Sequence, residues 1–291
     1  MLNLPLGSLG STKTVHSRVL PAEALSKLTL EALNIAGEAG NRLLELHGSA
    51  ISVEQKADDS PVTSADYAAS DIIVTALKSL EPQFPVLSEE SIPPCSERRG
   101  WETFWLVDPL DGTREYLKGN GEFTVNIALI ENRLPVLGVV LAPMLGLVYF
   151  AWKTGGAHRQ LSNGQPEQIH VRAADSEDLT VACGRGSRNN AHLQSFLNSL
   201  GAHREISRGA SLKSCLVAEG SADVYARLGP TSEWDTAAAQ VIVEEAGGHM
   251  TDTGMQDLRY NTGESLQNPP FVVFGDDSID WATYLESDTS D

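Results

Sequence analysis

Two short acidic segments each follow a run of β-type residues. Phe84-Pro85-Val86-Leu87 leads into Ser88-Glu89-Glu90-Ser91, and Phe104-Trp105-Leu106-Val107 leads into Asp108-Pro109-Leu110-Asp111-Gly112-Thr113. Carboxylates at the ends of neighbouring strands converge and repel one another unless a cation sits among them. Hard oxygen donors of this kind suit Mg²⁺, with Mn²⁺ as a substitute, because such ions keep waters and take substrate phosphate in their remaining positions. In the second segment Pro109 stiffens the turn, so Asp108 and Asp111 can point to one side with the Leu110 carbonyl between them as a further oxygen donor. Gly112 lets the backbone approach a ligand closely. Thr113 and Arg114 then open a short helix whose free N–H groups can cradle an anion. The plainer reading is an Asx turn, for which Asp-Gly is common, but that reading does not account for Glu89-Glu90.

A further acid lies far downstream, in Glu233-Trp234-Asp235-Thr236-Ala237-Ala238-Ala239. The run that follows has helical spacing, which puts Asp235 at a helix N-terminus where the dipole favours an anion. A plain N-cap is the simpler role, yet it leaves unexplained why Asp235 lies between Trp234 and an alanine run that permits close packing. Near the start of the chain, Thr63 precedes Asp66 by three residues, the spacing of a helix-capping pair. Carboxylates, a carbonyl and an anion nest together suit phosphomonoester hydrolysis. That reaction needs an in-line water, neutralised phosphate oxygens and a stabilised leaving alkoxide, and two metals about 3.5–4 Å apart supply all three. No covalent nucleophile is required: Ser88 and Ser91 lack a His partner, and Cys95, Cys183 and Cys215 sit in no motif.

These residues must be positioned by surrounding elements. Apolar residues at helical spacing predict a helix from Ala22 to Gly48 and a second from Thr63 to the breaker Pro82, with a polar stretch, Glu54 to Ser60, between them. Short β-type runs follow at Phe84–Leu87, Phe104–Val107, Phe123–Ile130, Leu137–Ala142 and Leu147–Ala151, and their short links predict an antiparallel sheet. After His158 the pattern alternates. Strands are expected near Ile169, at Leu179–Ala182 and at His203–Ile206, with helices at Ala191–Leu200, Leu212–Gly220 and Thr236–Gly247. The expected organisation is an N-terminal extension (1–24), an α+β half (25–158) with most of the candidate metal ligands, an α/β half (159–285) with Asp235, and an acidic tail (286–291).

Composition narrows the function classes. The chain has 291 residues, of which 41% are hydrophobic and 21% charged, an ordinary globular mix. No apolar run approaches the roughly 20 residues that cross a bilayer, and the first 18 residues lack the basic and apolar regions of a secretory signal. Three widely spaced cysteines form neither a paired framework nor a CxxC site and fit a reducing, cytoplasmic setting. A formal net charge of −18 opposes binding to a nucleic-acid polymer, which depends on Lys and Arg neutralising many phosphates. The same charge repels a phosphorylated metabolite unless the site carries local positive charge. The seven histidines have no ligand spacing, the five tryptophans form no stacking stripe, and the paired glycines lack a P-loop or GxGxxG context.

Asp66 in SPVTSAD, the acids of PVLSEES, WLVDPLDGTREY and SEWDTAAA together resemble the lithium-sensitive inositol monophosphatase superfamily, in its order. Within it, NGEFTVNIALI and SLKSCLVAEGSADVYARLGPTSEWD are most similar to the CysQ-type 3′(2′),5′-bisphosphate nucleotidases. The resemblance covers roughly Leu25 to Phe274. It implies a layered α/β/α/β/α sandwich with the site between two halves. It further implies that Glu89, Asp108, the Leu110 carbonyl, Asp111 and Asp235 hold two Mg²⁺ ions. Asp66 with Thr113 would orient and deprotonate the attacking water and help hold a third, weaker ion, while Gly112 and Thr113 bind the scissile phosphate. Glu89, Leu110, Asp111 and Asp235 would also face the substrate. For a second phosphate or the base, Ser211, Lys213, Arg227, Arg185 and Arg188 are the candidates. The matching nucleotidase segment commonly reads Ser-Arg-Ser-His where this chain has Gly184, Arg185, Gly186, Ser187 and Arg188.

The implied reaction is hydrolysis of adenosine 3′,5′-bisphosphate, and of its sulfated parent as a further substrate, to AMP-type product and phosphate in support of sulfate assimilation. The implied enzyme is cytoplasmic, free or peripherally associated with the inner membrane, and monomeric or homodimeric. An inositol monophosphatase with the same metal core is the alternative, and a non-catalytic phosphometabolite sensor is the alternative of another class.

Overall fold

Successive side chains of a strand point to opposite faces, so a strand that is apolar at every position must be covered on both sides. The computed structural model, which describes residues 19–48, 53–55, 61–185 and 190–285, meets that demand. Along strand Thr103–Asp111, Phe104 and Leu106 enter one apolar layer while Trp105 and Val107 enter another. The expected extension up to residue 18, Gly186 and Arg188, and the acidic tail lie outside the described residues.

The first elements are α1 (Ala22–Leu46), β1 (Val53–Gln55), β2 (Pro61–Thr63), α2 (Ser64–Lys78), β3 (Val86–Ser88), α3 (Cys95–Arg98), β4 (Thr103–Asp111) and α4 (Thr113–Lys118). Strands β5 (Thr124–Glu131), β6 (Leu134–Ala142), β7 (Leu147–Trp152), β8 (Gly156–Leu161) and β9 (Glu167–Ile169) follow. The remainder comprises β10 (Leu179–Cys183), α5 (Ala191–Ser199), β11 (His203–Ser207), α6 (Leu212–Ala218), β12 (Val224–Arg227), α7 (Ala237–Glu245), β13 (His249–Asp252), β14 (Phe271–Phe274) and α8 (Ala282–Leu285).

Strands β3 to β9 form one seven-stranded sheet in chain order. It is antiparallel except for the parallel β3–β4 pair. The smaller sheet has the order β11-β10-β12-β14-β13, parallel around β10 and antiparallel around β14. Helices α1 and α2 cover the outer face of the larger sheet, with Leu28, Ala32, Leu43, Ile73 and Leu77 against Trp105, Ile127 and Val139. Helices α6 and α7 lie between the sheets, joining Leu106, Ala128 and Val140 to Tyr225 and Val273. On the far face α5 and α8 pack with Phe196 and Trp281 against Val181, Val224 and Val272. These are the five layers, α/β/α/β/α, that the sequence motifs implied.

The alanine run explains how closely the middle layer sits. A Cβ added to Gly138 of β6 would lie 2.3 Å from the Ala238 carbonyl oxygen and 2.6 Å from Val241. The small residues therefore let the backbones of β6 and α7 meet directly. The larger sheet continues through β8 and β9, so the chain leaves it after Ile169 rather than near residue 158, and the strand at Ile169 belongs to the first sheet. No helix among the described residues is long and apolar enough to cross a membrane.

Candidate active site

The acidic segments meet at one end of the β3–β4 pair. Ser88 pairs with Val107, and the Glu89 N–H donates to the Val107 carbonyl at 3.1 Å, so Glu89 and Asp108 emerge side by side. In a regular strand residues three apart face opposite ways. Here Asp108 pairs with Asn126 and Asp111 with Thr124, three residues of β4 against two of β5. The extra residue at Pro109-Leu110 is a bulge, which re-aims the strand and brings both aspartates to the same side. The Leu110 N–H donates to Asp108 Oδ1 at 3.0 Å.

Asp111 Oδ2 accepts from the Ser211 hydroxyl at 2.7 Å, from Asn126 Nδ2 at 3.2 Å and from the Thr124 hydroxyl at 3.3 Å. Asn126 Nδ2 also donates to Ser211 Oγ at 2.9 Å. Asp235 ends a short 3-10 turn, Glu233–Asp235, immediately before α7. Its Oδ2 accepts the Ser232 N–H at 3.0 Å, and its carbonyl lies 2.8 Å from Ser211 Oγ. Ser211 thus ties the bulge of the larger sheet to the turn ahead of α7. Glu233 beside it is buried, which pushes its carboxyl up to about 7. Its Oε2 accepts the Asn261 N–H, and buried Arg98 donates to Asn261 Oδ1, both at 2.6 Å.

Burial among neighbouring carboxylates raises the proton affinity of Asp108 and of Asp235. Asp108 is 2% exposed, and burial followed by the charges of Glu89, Asp111 and Asp235 pushes its carboxyl well above the usual range. Burial and then Asp111 push Asp235 the same way. A crowded set of carboxylates with shifts of this sign is what a bound cation would relieve. The donors are all oxygen, the chemistry that Mg²⁺ prefers, so the residues present fit that ion. Among the described residues no three His, Cys, Asp or Glu side chains stand close enough together, as they are, to hold a metal ion; the Leu110 carbonyl, 3.5 Å from the Thr113 hydroxyl, is the further oxygen donor of the bulge.

Asp66 and Thr113 come together as expected. Thr63 caps α2 through a 3.1 Å bond from Ala65 N–H, and Asp66 Oδ2 accepts from both the N–H and the hydroxyl of Thr63 at 2.7 Å. Asp66 Oδ1 is thereby turned to the Thr113 hydroxyl, 3.2 Å away. Thr113 opens α4 after Gly112, whose φ of 88° is left-handed and suits glycine. The Tyr116 hydroxyl anchors α4 to α1 through the Leu43 carbonyl at 2.9 Å.

A cavity of about 540 Å³ adjoins this centre, with Asp111, Gly112, Ser211 and Asp235 in its lining. Its walls carry Arg114, Lys118, Arg185, Arg208, Lys213 and Arg227, a local excess of cations on a chain of net charge −18. Burial pushes the Lys213 ammonium's pKa down. Its Nζ donates to the Ala210 carbonyl and lies 5.3 Å from the Tyr225 ring centroid. Arg227 donates through Nη2 to the Pro230 carbonyl at 2.8 Å, while its Nε is buried with no hydrogen-bond partner. Arg185 differs. Its Nε and Nη2 donate to the two oxygens of Glu122 at 2.8 and 2.7 Å, so one edge of the expected substrate contact is already engaged. Asn126, Thr124 and Glu122 were not singled out by sequence reasoning; polar residues in or beside a strand buried at every position were the available signal.

The model of the inositol monophosphatase family matches residues 24–273. The 3′(2′),5′-bisphosphate nucleotidase CysQ of Salmonella typhimurium is 47% identical over 245 residues, covering 84% of this chain and 98% of that protein. CysQ of Escherichia coli K12 is 45% identical with the same coverage. The crystal structure of CysQ from Bacteroides thetaiotaomicron, itself described as a bacterial member of the inositol monophosphatase family, superposes with a TM-score of 0.74 at 37% identity. It covers 86% of this chain and 97% of that one. The Thermotoga maritima IMPase TM1415 gives the same TM-score at 25% identity, over 89% and 96% of the two chains. The chain belongs to the inositol monophosphatase family.

Proposed function

We propose that this protein is a Mg²⁺-dependent 3′(2′),5′-bisphosphate nucleotidase that hydrolyses adenosine 3′,5′-bisphosphate to AMP and phosphate. The observation that carries the reading is the meeting of four carboxylates with a cavity walled by cations. The carboxylates provide for a divalent ion, and the cations provide for a substrate with more negative charge than one phosphate. The nucleotidase activity carried in the names of the CysQ relatives supports the same substrate.

In this reading Glu89, Asp108, Asp111, Asp235 and the Leu110 carbonyl hold Mg²⁺. When bound, the metal supplies charge neutralisation at the phosphate and a more acidic water. Thr113 accepts a hydrogen bond from the attacking water while donating its own proton to Asp66 Oδ1. The water proton then passes through the hydroxyl to Asp66, whose second oxygen remains fixed by Thr63. Gly112 and Thr113 bind the scissile phosphate through the backbone at the start of α4. Lys213 and Arg227 hold the second phosphate. The buried Arg227 Nε without a partner favours an anionic ligand there, because an unsatisfied buried donor is costly. The work done is removal of a nucleotide by-product of sulfate assimilation in the cytoplasm, with the sulfated parent nucleotide as a further substrate.

The test is phosphate release from adenosine 3′,5′-bisphosphate and from inositol 1-phosphate, side by side, in Mg²⁺ and in EDTA. The expected result is Mg²⁺-dependent preference for the nucleotide. Preference for the inositol ester would overturn the substrate assignment, and turnover undiminished in EDTA would overturn the metal assignment. Binding of the nucleotide without turnover would favour a sensor.

A further inference from the structure

Glu122 stands where loops from the two sheets meet. It lies between α4 and β5 and is 6% exposed. Its Oε1 accepts Nη2 of Arg185, and its Oε2 accepts both Nε of Arg185 and, at 2.9 Å, the N–H of Gly209. Arg185 follows β10 and Gly209 lies between β11 and α6, so both partners come from the smaller-sheet side. The fork geometry is the strong form of a carboxylate–guanidinium pair. It holds the Glu122 carboxyl below its usual range, the hydrogen bond from Arg185 being the largest cause.

The backbone of Glu122 braces the same turn. A Cβ at Gly209 would stand 2.5 Å from the Glu122 carbonyl oxygen and 2.9 Å from Glu115 Cγ, so only glycine fits. Beyond it Ala210 adopts a φ of 50° and its carbonyl accepts Lys213 Nζ, while Ser211 bonds Asp111. Only Ala210 therefore separates the residue that contacts the Glu122 carboxylate from the one whose hydroxyl orients Asp111.

We propose that Glu122 and Arg185 act as one positioning unit, a clasp between the two halves. The clasp sets the Gly209–Ser211 turn and through it the placement of Asp111 and Lys213. Arg185 then serves the site through Glu122 rather than as a phosphate ligand. Withdrawing Arg185 to grip substrate would strip the buried carboxylate of its fork and leave it only Arg208, whose Nη1 lies 3.9 Å from Oε1, a costly exchange for such a pair.

This inference rests on the nucleotidase reading, and the test separates the two. Wild type, Glu122→Gln, Arg185→Met and the double variant are assayed with adenosine 3′,5′-bisphosphate and with adenosine 3′-monophosphate, which lacks the second phosphate. Residues that act as a unit are strongly non-additive. Each single variant is therefore expected to lower kcat/KM for the bisphosphate by about tenfold, with the double no lower than the weaker single. Both singles should reduce the preference for bisphosphate over monophosphate to the same degree, because Lys213 shifts in both. Amide exchange at Gly209, read by mass spectrometry, should accelerate in both singles whatever the substrate. A double variant equal to the product of the singles would overturn the clasp. So would loss of bisphosphate preference in Arg185→Met with none in Glu122→Gln, or unchanged exchange at Gly209. If Glu122→Gln does not fold, Arg185→Lys takes its place; it keeps the charge without the fork and should lose as much as Arg185→Met. Wild type inactive on the bisphosphate would defeat the nucleotidase reading alone, since the exchange experiment would still decide the clasp.

Discussion

Asp108→Asn should make the metal-free protein more stable while abolishing its activity. Asp108 is buried against Glu89, Asp111 and Asp235, and all three neighbours push its carboxyl upward. Asn preserves the shape and can still accept the Leu110 N–H, but it removes the charge. Asp235 gives a scale. Its carboxyl is pushed from the ordinary 3.8 to about 7, which corresponds to roughly 4 kcal/mol. Burial is the larger part of that figure, and solvent reaching Asp235 screens the rest, so the repulsion relieved is about 1–2 kcal/mol. For a chain of this size that raises Tm by about 2–8 °C.

The pH dependence follows from the sign. A carboxyl with a raised folded-state value lowers stability at high pH, and this loss develops as pH rises from the unfolded value, near 4, through the folded one, about 7 for Asp235. Thermal melts in EDTA should therefore separate the variant from wild type at pH 8 and bring them together near pH 4. Adding Mg²⁺ at about 100 times its Kd should stabilise wild type by about 2.7 kcal/mol and the variant far less. A variant less stable than wild type in EDTA at pH 8, or one equally stabilised by Mg²⁺, would refute the reasoning.

Thr113→Ala removes the hydroxyl between water and Asp66, and steady-state kinetics should show kcat down by about 10²-fold or more with KM little changed. Ser211→Ala removes the shortest of the three bonds to Asp111 Oδ2 and should weaken Mg²⁺ binding about 10–100-fold, measured by calorimetry and by recovery of activity in excess Mg²⁺. Lys213→Met and Arg227→Met should each raise KM for the bisphosphate about tenfold or more while changing that for the 3′-monophosphate little. Gly138→Ala forces a Cβ against the Ala238 carbonyl and should cost about 1–3 kcal/mol, visible as a lowered denaturation midpoint.

Much of the acidic centre was legible because its geometry is local. Thr63 and Asp66 cap one helix, and Asp108 to Thr113 form a single bulge and turn. Pro109 hinted that the two aspartates share a side, but the one-residue offset against β5 is what achieves it. The layers were legible where apolar runs are long, as in β4 to β6. Strand β8, Gly156–Leu161, was read as a boundary because its GAHRQL sequence is that of a partly exposed strand, without a buried run to mark it. The β1–β2 pair was missed because β1 is VEQ, three residues with one apolar side chain. Asn126 and Glu122 escaped notice for a different reason. Their partners Ser211 and Arg185 lie 85 and 63 residues away, and no periodicity within either segment registers a contact made only by folding.

The seam between Gly138 and α7 reaches beyond packing. Asp235 leads directly into α7, and α7 rests on β6 with backbone against backbone. At Gly138 the strand has no side chain to hold the helix away. The position of Asp235 relative to the aspartates of the bulge is therefore braced by this main-chain contact as well as by Ser211. Ca²⁺ needs oxygen ligands at about 2.3–2.6 Å, whereas Mg²⁺ needs them at about 2.0–2.1 Å. On the proposed metal assignment, walls braced in this way favour the smaller ion, and the smallest residues in the middle layer become its gauge.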